Sequence, residues 1–166
     1  VGSEVSINEL ANLTGADRDT VSRYLFLLEQ AFIIFRLGAL SRNLRNEISK
    51  MKKIYSYDNG IRNALISNFA PLEFRNDIGA IWENFLISEK IKANHYAGIS
   101  PNIYFWRTKT GNEVDYVEEM NGMIHGYEIK QSSRAKVRGF TIFRTAYPDS
   151  TVSVVHRENH LEFLGI

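Results

Sequence analysis

The chain has 166 residues, of which 44% are hydrophobic and 23% charged, a balance that fits a globular protein with a sizeable core. A net charge of +1 neither requires nor excludes a polyanionic partner, and the lack of cysteine excludes disulfides and thiolate metal sites and agrees with a reducing cytoplasm. No apolar run reaches the ~20 residues of a membrane span; Phe26 to Phe35 is the most hydrophobic stretch and is broken by Glu29 and Gln30, so no membrane partner is expected.

The chain starts Val1-Gly2-Ser3 and runs at once into a helix start, as expected of a segment of a longer protein. Ser6-Ile7-Asn8-Glu9 has the S-x-x-E form of a capping box and Gly15 breaks the helix it opens. Asp17 can cap a second helix, in which Val21, Tyr24, Leu25 and Leu28 recur at i, i+3, i+4 and i+7. Two short helices around a glycine turn, followed by β-forming Phe32-Ile33-Ile34-Phe35 and Ile54-Tyr55-Ser56-Tyr57, follow the order of a winged helix.

From Arg36 to Lys53 the chain is basic, with Arg36, Arg42, Arg45, Lys50, Lys52 and Lys53 set against Glu47. The last five of these cations, with Arg18 and Arg23 on the second helix, are candidate phosphate contacts for DNA. Solvation of a loop is the competing reading, and Arg18 and Arg23 are few for a base-reading helix. Asp58-Asn59-Gly60 then leads into a short helix through Leu65 and Ile66.

Pro71 and Arg75-Asn76-Asp77 mark the expected boundary between a first domain, residues 1–70, and a second, residues 71–166, and Asn76 or Asp77 can cap the helix that follows. Ile78 to Ala93 reads as a helix apolar almost all round, with Glu83 as its only ionisable residue between Gly79 and Ile87. A carboxylate in that setting needs a partner, so Glu83 is either a site residue or half of a buried salt bridge to an arginine. Ile103 to Arg107 reads as a strand, a helix is expected around residues 135–146, and strands at Thr151 to His156 and Leu161 to Leu164. The whole is an α/β layer architecture.

Asn121-Gly122 between two alternating runs is the sequence signal of a two-residue hairpin. If Met120 and Met123 pair across it, Asp115 lies opposite Glu128 and Glu113 opposite Lys130, all on one face. Acids so close need a proton, a cation or a lysine between them. Asp115 and Glu128 suit a magnesium ion that keeps several waters, with Lys130 stabilising charge on a phosphodiester and Glu83 completing the shell. A solvated face with a Glu113–Lys130 salt bridge is the plainer alternative. His156 and His160 lie in expected strand and turn, so a helical metal pair is not expected there.

Six stretches carry a family resemblance: Thr20-Val21-Ser22-Arg23-Tyr24-Leu25, Ile54 through Gly60, Gly79-Ala80-Ile81-Trp82-Glu83-Asn84, Tyr104 through Thr108, Gly111 through Asp115, and Tyr127-Glu128-Ile129-Lys130. Together they resemble the C-terminal region of uncharacterised bacterial and archaeal AAA-type P-loop ATPases, a winged helix followed by a restriction-endonuclease-like domain. The resemblance implies a PD-(D/E)xK arrangement with Asp115 as the first acid, Glu128 and Lys130 as the acid-x-Lys pair and Glu83 as the helix acid. No proline precedes Asp115, a departure from the strict pattern. An upstream ATPase domain, with ATP bound only by the full-length protein, is the implied partner. The alternative is a catalytically silent nucleic-acid-binding or protein-interaction module that regulates that ATPase.

Overall fold

In the computed structural model, which describes residues 2–42, 51–134 and 139–166, the N-terminal half follows the capping signals closely. A short strand β1 (Glu4–Val5) precedes helix α1 (Ile7–Thr14), where the Ser6 hydroxyl accepts from the Glu9 backbone N–H at 3.1 Å and Gly15 closes the helix at φ 69°. Asp17 accepts from Thr20 N–H at 2.8 Å to open α2 (Arg18–Gln30). Strands β2 (Ile34–Ala39) and β3 (Lys52–Ser56) pair antiparallel, and α3 (Asn59–Leu65) starts at Asp58. The helix-turn-helix and ribbon thus occur in the order expected of a winged helix.

The ribbon is not a free wing. β2 pairs in parallel with β4 (Asn102–Arg107), which joins it to β5 (Glu113–Met120), β6 (Met123–Ile129) and β7 (Thr151–Val155). The result is one mixed seven-stranded sheet in the order β1-β3-β2-β4-β5-β6-β7, running across the boundary expected near Pro71. Helix α4 (Ile78–Tyr96) and helix α6 (His160–Leu164) supply Leu86, Ile87, Phe163 and Leu164 to a core with Phe35, Leu37, Tyr55, Phe105 and Tyr116. Helix α5 (Phe140–Ala146) supplies Phe143 to a second cluster with Trp106, Val114, Val117 and Ile124. Adjacent Phe105 and Trp106 go to different clusters, as strand alternation requires.

Two local expectations are corrected. Leu161 to Leu164 is helix α6 and not a strand; four residues of apolar sequence carry no decisive period, and the αL glycine Gly165 ends the helix. Asp77 stands at the start of α4 without capping it, because its carboxylate is taken by Arg62 and by the Arg75 guanidinium, whose Nε and Nη2 are both at 2.9 Å.

Asn84 fixes α4 to the N-terminal half. Fully buried, it accepts from Ser56 N–H at 2.8 Å and donates to the Ser56 carbonyl and the Asn59 side chain, each at 2.9 Å. Asn84→Ala strands both backbone groups of Ser56 in the interior, and urea denaturation should read a loss of ~2 to 4 kcal/mol in stability. A change below ~0.5 kcal/mol would place the site among surface-like positions and contradict this role.

Candidate functional site

The hairpin turn has the geometry its sequence asks for. Asn121 and Gly122 take φ of 53° and 80°, and the ladder runs from Met120↔Met123 to Tyr116↔Tyr127. Beyond that pair the register shifts between β4 and β5: Asp115 and Tyr116 together stand opposite Phe105, a β-bulge. Val114 and Val117 consequently share one core cluster although alternation would separate them. At the bulge the Asp115 carboxylate accepts from the Ile129 backbone N–H at 2.8 Å, a contact that ties β5 to β6 where the ladder has ended.

The bulge also splits the expected row of charges into two groups. Lys130 Nζ lies 2.7 Å from Glu128 Oε1 and 3.8 Å from Asp115 Oδ2. Glu113, expected opposite Lys130, is instead paired with Lys53 and lies 3.9 Å from Arg107. Glu83 reaches the same region from α4, accepting from the Tyr55 hydroxyl at 2.7 Å and lying 3.5 Å from Lys53 Nζ. Its salt bridge is therefore to a lysine of the N-terminal half. Trp82, one residue before it, donates to the Lys130 carbonyl at 3.1 Å and holds the end of β6 against α4.

Burial makes these charges matter. Asp115 and Glu128 are each 7% exposed and Lys53 is 3% exposed. Burial, reinforced by Glu83 and Glu128 and opposed by Lys53 and Lys130, pushes the Asp115 carboxyl up to about 7. Burial likewise raises Glu128, against the hydrogen bond from Lys130. For Lys53 burial acts downward, yet Glu83, Glu113 and Asp115 together carry the ammonium above the usual lysine value. The Tyr55 hydroxyl is raised well above its ordinary value by burial and then by Glu83, so it stays protonated and donates.

Among the described residues no group of three or more His, Cys, Asp or Glu side chains forms a metal-ligand set. Asp115 and Glu128 offer two hard oxygen donors, and Glu128 Oε2 is buried with no hydrogen-bond partner among the described residues. Two carboxylates and an unsatisfied oxygen fit a magnesium ion that retains most of its waters and do not fit a cage built of protein alone.

The candidate phosphate contacts divide by position. Arg18, Arg23 and Lys52 are exposed, and Arg42 is exposed but paired with Glu119. Arg45 and Lys50 lie outside the described residues. Lys53 is the correction: its side chain enters the acidic cluster and is closed to DNA, because alternation along β3 turns Lys52 to solvent and Lys53 inward with Tyr55. Lys53 and Tyr55 are the residues of this cluster that the sequence reading assigned elsewhere or not at all. The signal that finds them is their shared parity on β3, with Lys53 two residues before a core tyrosine.

Residues 78–165 match the family described as "Domain of unknown function (DUF4143)". The chain belongs to the DUF4143 family. Its residues 1–72 are similar to a second family, "Domain of unknown function (DUF8612)". "Uncharacterized protein Mb2031c" of Mycobacterium bovis and "Uncharacterized protein Rv2008c" of Mycobacterium tuberculosis are each 31% identical to this DUF4143 chain over 132 residues, 78% of it and 29% of their own length. The chain thus spans less than a third of the curated relatives it matches. No solved structure matches it significantly. Among the described residues no helix is long and apolar enough to cross a membrane.

The Asp115 shift gives a pH prediction. Its folded value lies above the ~3.9 of an unfolded aspartate, so its contribution is full below about pH 4 and is lost as pH rises through about 7. In the absence of divalent ions, Asp115→Asn should raise the melting temperature at pH 8, by on the order of 1 to 3 kcal/mol in stability, and change little at pH 4. Equal effects at both pH values would contradict it.

Proposed function

We propose that this DUF4143 chain is the C-terminal part of an AAA-type ATPase and carries a DNA-associated, nuclease-like domain with its site at Asp115, Glu128 and Lys130. The observation that carries this reading is the buried Asp115–Glu128 pair on adjacent strands, with Lys130 against both and Glu128 Oε2 left without a partner among the described residues. Charge of this kind is costly to bury and has an evident use where a phosphodiester must be bound and polarised.

In this reading Asp115 and Glu128 hold magnesium, which when bound polarises a phosphoryl oxygen and acidifies a water. Lys130 places a cation where negative charge grows on the phosphoryl group. Trp82 keeps the Lys130 backbone fixed, and the Asp115–Ile129 bond holds the first acid at the bulge. The exposed Arg18, Arg23 and Lys52 would meet the DNA backbone away from the site. The ATPase domain and its ATP would belong to the full-length protein, and the length of the mycobacterial relatives is compatible with such a domain in them.

A second reading is favoured by a specific observation: Lys130 and Lys53 already compensate the carboxylates, so the cluster can stand as a silent module that binds nucleic acid or regulates the ATPase. Incubation of the protein with single- and double-stranded DNA and Mg²⁺ or Mn²⁺ separates the two. The nuclease reading expects cleavage by the wild type and a loss of at least ~100-fold in Glu128→Ala, a size typical of lost general or electrostatic catalysis. Equal signals from both proteins would leave the silent module.

A further inference from the structure

Lys53 is the most deeply buried cation of the acidic cluster, and the site just described does not use it. It comes from β3, in the stretch similar to the second family, whereas Glu83, Glu113, Asp115, Glu128 and Lys130 all lie in the DUF4143 match. Its ammonium pairs with Glu113, stands 3.5 Å from Glu83 and lies over the Phe105 ring, 5.5 Å from the centroid. Tyr55, also on β3, holds the same Glu83 oxygen that faces Lys53. The N-terminal half closes over this place in one more way: Gly2 N–H donates to the Ile54 carbonyl at 3.0 Å, and a Cβ on Gly2 would sit 3.1 Å from Glu83 Oε1.

By direct contact the four carboxylates divide between two lysines. Lys130 serves Asp115 and Glu128; Lys53 serves Glu83 and Glu113. If all are ionised, the four carboxylates exceed the two ammonium groups by two negative charges, the charge of one divalent ion; Arg107, 3.9 Å from Glu113, is itself bonded to Glu4 at 2.7 Å, and that pair adds no net charge. Glu128 Oε2, without a partner among the described residues, lies on the Lys130 side of this division. Without Lys53 the outer pair would have no lysine among the described residues, and Glu83, with no other salt bridge among those residues, and Glu113, beside Arg107, could turn toward a metal as additional ligands.

We propose that Lys53 is a resident counter-cation: it holds Glu83 and Glu113 out of the coordination shell, so that the N-terminal half sets both the number of carboxylates and the affinity with which the DUF4143 site takes a divalent ion. This rests on the reading of Asp115 and Glu128 as the metal-holding pair. It makes Lys53 a positioning residue that acts through carboxylates and does not touch substrate. The β3 strand is then part of the site, and the DUF4143 segment alone carries an acidic cluster with half of its lysine compensation missing.

The test is Mn²⁺ titration of the whole chain by calorimetry, with no DNA present. Lys53→Met should bind Mn²⁺ at least tenfold more tightly than the wild type, and Lys53→Arg, which keeps the charge, should stay within threefold. Adding Glu113→Gln to Lys53→Met should cancel most of the gain, whereas Glu113→Gln or Glu83→Gln alone should leave the wild-type affinity within threefold. An unchanged affinity in folded Lys53→Met, with binding still abolished by Glu128→Ala, overturns the role of Lys53 and leaves the metal pair standing. Binding indifferent to Glu128→Ala overturns the pair and this proposal together. Should Lys53→Met fail to fold, the single Glu83→Gln and Glu113→Gln proteins still decide: a tenfold loss in either makes that carboxylate a ligand and overturns the proposal, and retained affinity supports it.

Discussion

The Lys53 ammonium can be buried only where carboxylates meet it, and much of the tertiary arrangement satisfies that condition. An isolated buried charge costs several kcal/mol or more, and a pair offsets this only with good geometry and further hydrogen bonds. Glu83 from α4 and Glu113 from β5 supply the charge, and the Tyr55 hydroxyl supplies the additional bond. For these groups to meet, β2 must pair with β4 so that the ribbon extends the same sheet, and α4 must lie across it. Asn84 locks that helix to the end of β3 by bonding both backbone groups of Ser56. The two family-level segments thus form one structural unit.

The bulge at Asp115 and Tyr116 is the second device that the site depends on. A regular ladder would carry period-two alternation unbroken from Glu113 to Met120, and the four hairpin charges would form a single row. The extra residue lets Tyr116 pack in the α4-side core and Val114 in the α5-side core. It leaves Asp115 free to accept from Ile129 N–H, and it gives Glu113 to Lys53 and Arg107 in place of Lys130. Bulges commonly re-aim a side chain beside a functional site, and here the result is two lysine-centred groups of acids, in one of which Glu113 also lies 3.9 Å from Arg107.

Residues with strong local signals were legible in the sequence. Ser6, Asp17 and Asp58 open helices because their side chains satisfy nearby N–H groups, a matter of three residues or fewer. Asn121-Gly122 sets its turn because positive φ costs these residues little, and with it the pairing of β5 and β6. Where local preference is weak, the outcome differs: Leu161 to Leu164 is helical because Phe163 and Leu164 pack in the core beside Leu86 and Ile87, and Asp77 gives its carboxylate to two arginines and leaves the helix end uncapped. Lys53 reads as one of several wing cations in a basic stretch. Its shared parity with Tyr55 is the one local hint, and the pairing of β3 decides that Lys53 and not Lys52 turns inward.

The sequence by itself determined the α/β class, the helix starts, the hairpin and the meeting of Asp115 with Glu128 and Lys130, since each follows from short-range backbone preference or from counting along two strands joined by a tight turn. Only the tertiary structure decided that the ribbon joins the main sheet, that a bulge divides the charges, and that Lys53 and Tyr55 stand among them. The place of Lys53 and Tyr55 depends on distant contacts, Tyr55 with Glu83 and Lys53 with Glu113, and the ribbon joins the sheet through the likewise distant pairing of Gly38 with Tyr104. The free energy that selects them comes from removing charge and hydrocarbon from water together, and no local pattern records which distant partner will be there to compensate.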